Sequence, residues 1–123
     1  MDDEAVIKEL VDSYGWSRET LAVWRRANYQ CEYCQAKLLA SVDEYFYGSH
    51  VEHIVPDAGE HADNLALACK TCNFIKRKKN FSETGQLLTR DQLIAKATEF
   101  ISQRRTLNEE RLRRVRELLA MLN

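Results

Sequence analysis

The chain has 123 residues, 18 Lys and Arg against 19 Asp and Glu, a formal charge of -1 and a 45% hydrophobic fraction. That suffices for one domain with a modest core, of a size that gains from a metal staple. Composition excludes a bilayer-spanning segment, and the acidic opening Met1-Asp2-Asp3-Glu4 lacks the basic start of a secretion signal, so the expected location is cytoplasmic.

The near-zero net charge conceals an asymmetry. Residues 1–63 carry five Lys and Arg against thirteen Asp and Glu, whereas residues 64–123 carry thirteen against six. A basic half of this kind suits a polyanionic partner, although surface ion pairing accounts for many such charges.

In chain order, Glu4 to Asp12 predicts a short amphipathic helix with Val6, Ile7, Leu10 and Val11 on one side. Ser17 is the expected N-cap of a second helix that ends at Arg25-Arg26, where cations suit the helix dipole. Tyr45-Phe46-Tyr47 and Ser49 to Ile54 have the aromatic and β-branched character of strands. Pro56 to Glu60 has loop chemistry, and Leu65 to Ala68 is a short apolar run of strand length. A helix is expected after Cys72, ending near Asn80. Thr89 and Gln92 form a capping box for another, and Thr106 with Glu109 predicts the start of a last helix. The stripe Leu112, Val115, Leu118, Leu119 and Leu122 is expected to be core, with a dimer interface as the lesser reading. Three segments result: 1–26 N-terminal and helical, 27–80 central, and 81–123 C-terminal and helical.

The chemistry lies in the central segment. Cys31/Cys34 and Cys69/Cys72 are two Cys-x-x-Cys pairs. Each spacing lets one tight turn aim two sulfurs at a single ion, so the four are expected to hold a structural Zn²⁺ with no position left for substrate. The 34 residues between the pairs contain Val51-Glu52-His53-Ile54-Val55-Pro56, and Asn73 follows the last cysteine. A histidine serves as a base near neutrality, and carboxylate and amide oxygens suit a hard ion such as Mg²⁺. Glu52, His53 and Asn73 are therefore candidates for phosphodiester hydrolysis, with Lys76 placed to meet phosphate one turn after Asn73. Strand alternation puts Glu52 on the face of His50 rather than of His53, so periodicity leaves both histidines open as the base.

The ordered set Cys31-Glu32-Tyr33-Cys34, Val51 to Pro56, Asp63-Asn64-Leu65-Ala66-Leu67-Ala68-Cys69, Cys72-Asn73 and Lys76 resembles the HNH endonuclease family over about residues 24–80. The resemblance implies an α+β fold: a zinc-stapled ββα-metal core flanked by N- and C-terminal helices. It implies His53 as the general base and Asn64 as the residue that orients the loop between the strands. Asn73 and Glu52 become ligands of a catalytic Mg²⁺, Mn²⁺ or similar ion. Lys76, Arg77, Lys78 and Lys79 become nucleic-acid contacts. The implied activity is single-metal cleavage of DNA, taken as double-stranded. The rival expectations are a non-catalytic zinc-stabilised nucleic-acid-binding module and a partner-dependent nuclease subunit. Monomer and homodimer both stay open. Two departures from the family pattern stand out: Glu replaces the usual Asp at 52, and Gly59-Glu60-His61 stands where many members have a Gly-Gly turn.

Overall fold

A computed structural model describes residues 1–82 and 87–122. Helix α1 (Asp3–Tyr14) begins at Asp2, whose side chain accepts from the Ala5 N–H, and ends at Gly15 with φ 76°, a left-handed cap that glycine takes without strain. Helix α2 (Arg18–Arg26) starts at Ser17 as the sequence predicts, the Ser17 hydroxyl accepting from the Thr20 N–H. An Arg18–Glu4 ion pair at 2.7 Å ties the two together. α1 buries no residue, whereas α2 sends Val23 and Trp24 into the core.

Strands β1 (Ser49–His53) and β2 (Leu65–Cys69) pair antiparallel, Ser49 opposite Cys69 and His53 opposite Leu65. A single such pair is marginal in water and needs covering. Helix α3 (Lys70–Lys76) leaves β2 directly, giving the strand–loop–strand–helix order of a ββα core. The free edge of β2 is closed by side chains and a loop rather than a third strand. The Glu32 N–H donates to the Leu67 carbonyl, the Leu67 N–H donates to the Glu32 carboxylate, and Arg26 and Arg90 both donate to the Leu65 carbonyl. Those contacts satisfy backbone groups that would otherwise invite edge-to-edge pairing. The core consists of Val23, Trp24, Cys31, Tyr33, Leu38, Ile54, residues 65–68, Cys72 and two residues of the last helix, Ala97 and Ile101. Among the described residues, no helix is long and apolar enough to cross a membrane.

Three local expectations are corrected. Tyr45-Phe46-Tyr47 is not a strand but part of a π-helical turn, Asp43–Tyr47. Its aromatic character serves stacking: Tyr45 packs on Trp16 and Trp24, and the Trp16 indole donates to the Tyr45 hydroxyl at 2.8 Å. The helix expected after Cys72 begins earlier, at Lys70, because Cys69 caps it by accepting from the Cys72 N–H, and it ends at Lys76 rather than near Asn80. The two C-terminal helices are one, α4 (Arg90–Ala120), opened by the predicted Thr89–Gln92 capping box. Thr106 lies inside it with its hydroxyl donating back to the Ser102 carbonyl, and no Gly or Pro interrupts residues 90–120.

At 31 residues α4 runs about 46 Å, longer than the small core it packs on. Its first half covers α3 through Ala97 and Ile101. Its second half extends past the body, so Leu112, Val115, Leu118, Leu119 and Leu122 are 47–73% exposed. The stripe read as core is therefore surface. We expect Ile101→Ala to cost about 2–5 kcal/mol in urea unfolding, and Leu112→Gln in dilute solution to change stability by less than about 0.5 kcal/mol.

Candidate functional site

The four cysteines come together although 34 residues separate the pairs. Cys31 and Cys34 sit on a turn closed by the Cys31 N–H to the Ala36 carbonyl and the Gln35 N–H to the Cys31 carbonyl, flanked by a Gln30–Lys37 bridge. Cys69 ends β2, and Cys72 lies in the first turn of α3. All four sulfurs lie within 4.8 Å of one another, with Cys34 and Cys69 at 3.7 Å. With Zn–S bonds of about 2.3 Å, a tetrahedral site has sulfur–sulfur edges of about 3.8 Å. The donor set thus fits a closed, structural Zn²⁺ site. Crowding also splits the thiols in acidity: hydrogen bonds from Cys31 and Cys72 hold Cys69 well below the usual thiol range, while the Cys31 thiol, bonded to Cys69, is pushed up to about 11. From α4, Arg105 reaches across to the Cys72 sulfur at 3.3 Å.

An open groove of about 1020 Å³ is lined by His50, Glu52, His53, Asp57, Glu60, Asn73, Phe74, Arg77 and Lys78, and by none of the four cysteines. His53 ends β1 and is half-buried; Asn73 lies in α3, inside the helix rather than at its cap. Asn64 binds the loop between the strands: its Oδ1 accepts from the Val55 N–H at 2.9 Å, and its Nδ2 donates to the Val55 and Gly59 carbonyls at 3.0 Å each. His50 borders the same groove, and the His61 ring contacts the Ala58 carbonyl.

Glu52 is 7% exposed and held on both oxygens, one by the Tyr33 hydroxyl and the other by the Lys76 ammonium at 3.1 Å. Lys76 also donates to the His53 carbonyl at 3.0 Å. Burial pushes the Glu52 carboxyl above its ordinary range, opposed by the bonds to Tyr33 and Lys76. Burial and the Glu52 charge hold the Tyr33 phenol far above its usual pKa, so it stays a donor.

The basic run 76–79, read as a row of nucleic-acid contacts, is divided by the structure. Lys76 is 1% exposed and points inward to Glu52, so it has no surface to offer phosphate. Arg77 terminates α3 at φ 48°, ψ -129°, and this turn sends the chain away. Arg77 and Lys78 line the groove, while Lys79 lies over the Phe100 ring at 4.9 Å, against α4. The Arg77 guanidinium is 4.0 Å from the Phe74 ring centre, with its Nε donating to the Phe74 carbonyl.

Sequence reasoning passed over Tyr33, Glu60 and Arg105. Tyr33 occupies one of the two spacer positions of the first Cys-x-x-Cys pair, but nothing local says that it faces Glu52. Glu60 departs from the family pattern, and that departure was its only signal. Arg105 meets the sulfurs 33 residues or more away along the chain and has no local signature.

A buried charge left without its partner is strongly destabilising, by about 3–5 kcal/mol. We expect Lys76→Met to lower stability by about that amount in urea unfolding, and the double variant Glu52→Gln/Lys76→Met to recover part of the loss.

With the geometry established, comparison with known proteins gives one finding. The family model described as HNH endonuclease matches residues 31–79. No curated protein and no solved structure matches the chain. The matched span takes in both cysteine pairs, β1, β2, α3, His53, Asn64 and Asn73. Over residues 31–79, less than half of the chain, the protein is thus similar to HNH endonucleases, with a small antiparallel hairpin and helix and four cysteines grouped as for zinc.

Proposed function

We propose that this domain hydrolyses DNA phosphodiester bonds, with His53 as the general base. The observation that carries the reading is that His53 and Asn73, from different elements, border one open groove with Arg77 and Lys78 at its side. Cys31, Cys34, Cys69 and Cys72 would hold Zn²⁺ as a scaffold. Glu52 and Asn73 would supply the oxygen donors, Glu52 by exchanging its bond to Tyr33 or Lys76 for the ion, and a hard divalent ion such as Mg²⁺ commonly takes one or two protein oxygens and keeps several waters. Such an ion would supply positive charge at the reacting phosphate.

The chain's own residues do the rest. His53 accepts a proton from a water molecule as the water oxygen attacks phosphorus. The bond from phosphorus to O3′ breaks in line, and the leaving oxygen takes its proton from solvent. Asn64 holds the loop beside His53 and takes no part in proton transfer. Arg77 and Lys78 contact backbone phosphates, which position the duplex without reading its sequence. One such site cuts one strand, so a monomer would nick.

A specific observation favours a second reading. The carboxylate charge of Glu52 is already answered by Lys76, which weakens its claim on a cation. That supports a nucleic-acid-binding module without catalysis, or a nuclease subunit that needs a partner.

Nicking of supercoiled plasmid with Mg²⁺, Mn²⁺ or EDTA separates these readings. The nuclease reading expects metal-dependent nicking that falls by about 10²-fold or more in His53→Ala, while DNA binding is kept. Folded, metal-supplied protein that binds DNA and never nicks would support the module. Arg77 supplies a second check, because a non-glycine residue at that φ and ψ carries strain of about 1–3 kcal/mol. Arg77→Gly is expected to raise the urea midpoint and to weaken DNA binding in the same protein, with a shallower salt dependence.

A further inference from the structure

We propose that Glu60 is a positioning residue for His53: its carboxylate holds the Nε2–H form of the imidazole and so leaves Nδ1 as the nitrogen that receives the proton from water. The inference rests on the nuclease reading for its catalytic consequence, while the contact itself is a property of the folded chain.

The geometry begins with the loop. Asp57 at φ 65° and Gly59 at φ 102° turn the chain back after β1, and the Asn64 side-chain amide pins the Val55 and Gly59 carbonyls. Glu60 is the next residue after that pinned carbonyl. Its Oε1 lies 2.6 Å from His53 Nε2. The loop therefore returns a carboxylate to the ring of the residue that ended the strand.

A neutral imidazole carries one N–H and one lone pair, and the hydrogen bond made by one nitrogen decides which is which. A carboxylate accepts only, so the nitrogen facing Glu60 must be the donor. The lone pair then falls on Nδ1. In catalytic histidine–carboxylate pairs the acid has this orienting role without itself taking the proton. Asn64 thereby acquires a second consequence, since it fixes the loop that carries the acid.

The competing account is an exposed ion pair of little weight. Glu60 is 81% exposed and the His53 side chain 40%, a setting in which such pairs contribute little to stability. Stability is therefore the wrong readout, and the tautomer is the right one.

The test records long-range proton–nitrogen NMR spectra of His53 in the full, zinc-loaded chain without DNA, under alkaline conditions where the imidazole is neutral. Plasmid-nicking kinetics run alongside on the same proteins. Three proteins are compared: wild type, Glu60→Ala, and Asp57→Asn, which removes a groove carboxylate that makes no hydrogen bond or ion pair with His53. The expected result is an Nε2–H tautomer in wild type and in Asp57→Asn, and a mixture in Glu60→Ala. With it, kcat in Glu60→Ala falls by about tenfold or more and KM changes little. A wild-type ring that is not in the Nε2–H form, or one that Glu60→Ala leaves unchanged, overturns the proposal. A kcat unchanged in Glu60→Ala while His53→Ala is inactive overturns its catalytic part. Failure of the nuclease reading looks different: nicking would be absent in wild type or would survive His53→Ala, and the tautomer spectra alone would then decide the Glu60 contact.

Discussion

Four sulfurs within 4.8 Å of one another impose the constraint from which the rest of this small fold follows. The two cysteine pairs come from parts of the chain far apart in sequence that meet in the one core. One lies on a tight turn after α2; the other spans the junction of β2 and α3. Holding them at one point brings Glu32 against the open edge of β2 and Tyr33 under β1, where its hydroxyl meets Glu52. The spacer residues of the first pair thus complete the sheet and seat a buried carboxylate. A two-stranded sheet of five residues a side could not hold that arrangement by its own hydrogen bonds.

The junction of β2 and α3 also explains why scaffold and groove are built from the same few residues. Cys69 ends the strand, caps the helix and faces the sulfur cluster. One turn of α3 then presents Cys72 inward, Asn73 to the groove and Phe74 to solvent. Lys76, three residues after Asn73, returns beneath β1 and joins Glu52 to the His53 carbonyl. The backbone of His53 is therefore held by a buried ion pair, while its ring faces an exposed carboxylate. This division gives the strand end a rigid base and leaves the imidazole accessible.

The family resemblance and the structure agree on architecture and part over individual roles. Lys76 shows why. A lysine one turn past an asparagine looks like a phosphate contact when only the helix is considered. The helix, however, lies against a strand that carries a glutamate on its inner side, and a buried carboxylate draws the nearest cation inward. The row of four basic residues likewise divides, because α3 stops at Arg77 in a conformation that redirects the chain.

Patterns carried by adjacent residues were legible in the sequence. Ser17 and Thr89 as caps, β1 and β2 by their β-branched and apolar runs, and the cysteine pairs by their spacing all depend on neighbours within four residues. Local signals misled where a distant partner decided the outcome. In the Tyr45 to Tyr47 run, Tyr45 packs on Trp16 and Trp24 while Phe46 and Tyr47 are exposed, and the run joins no sheet. Thr106 resembles a cap, yet an unbroken helix satisfies its hydroxyl internally. The leucines of α4 have a core-like period, but a helix longer than its core has nothing left to pack on. What the sequence by itself determined was the set of short-range choices: helix starts, strand pairing candidates and the four metal-type ligands. Only the tertiary structure decided which charges are buried, which carboxylate meets His53 and where Arg105 ends, because those depend on contacts between residues whose separation along the chain carries no signal.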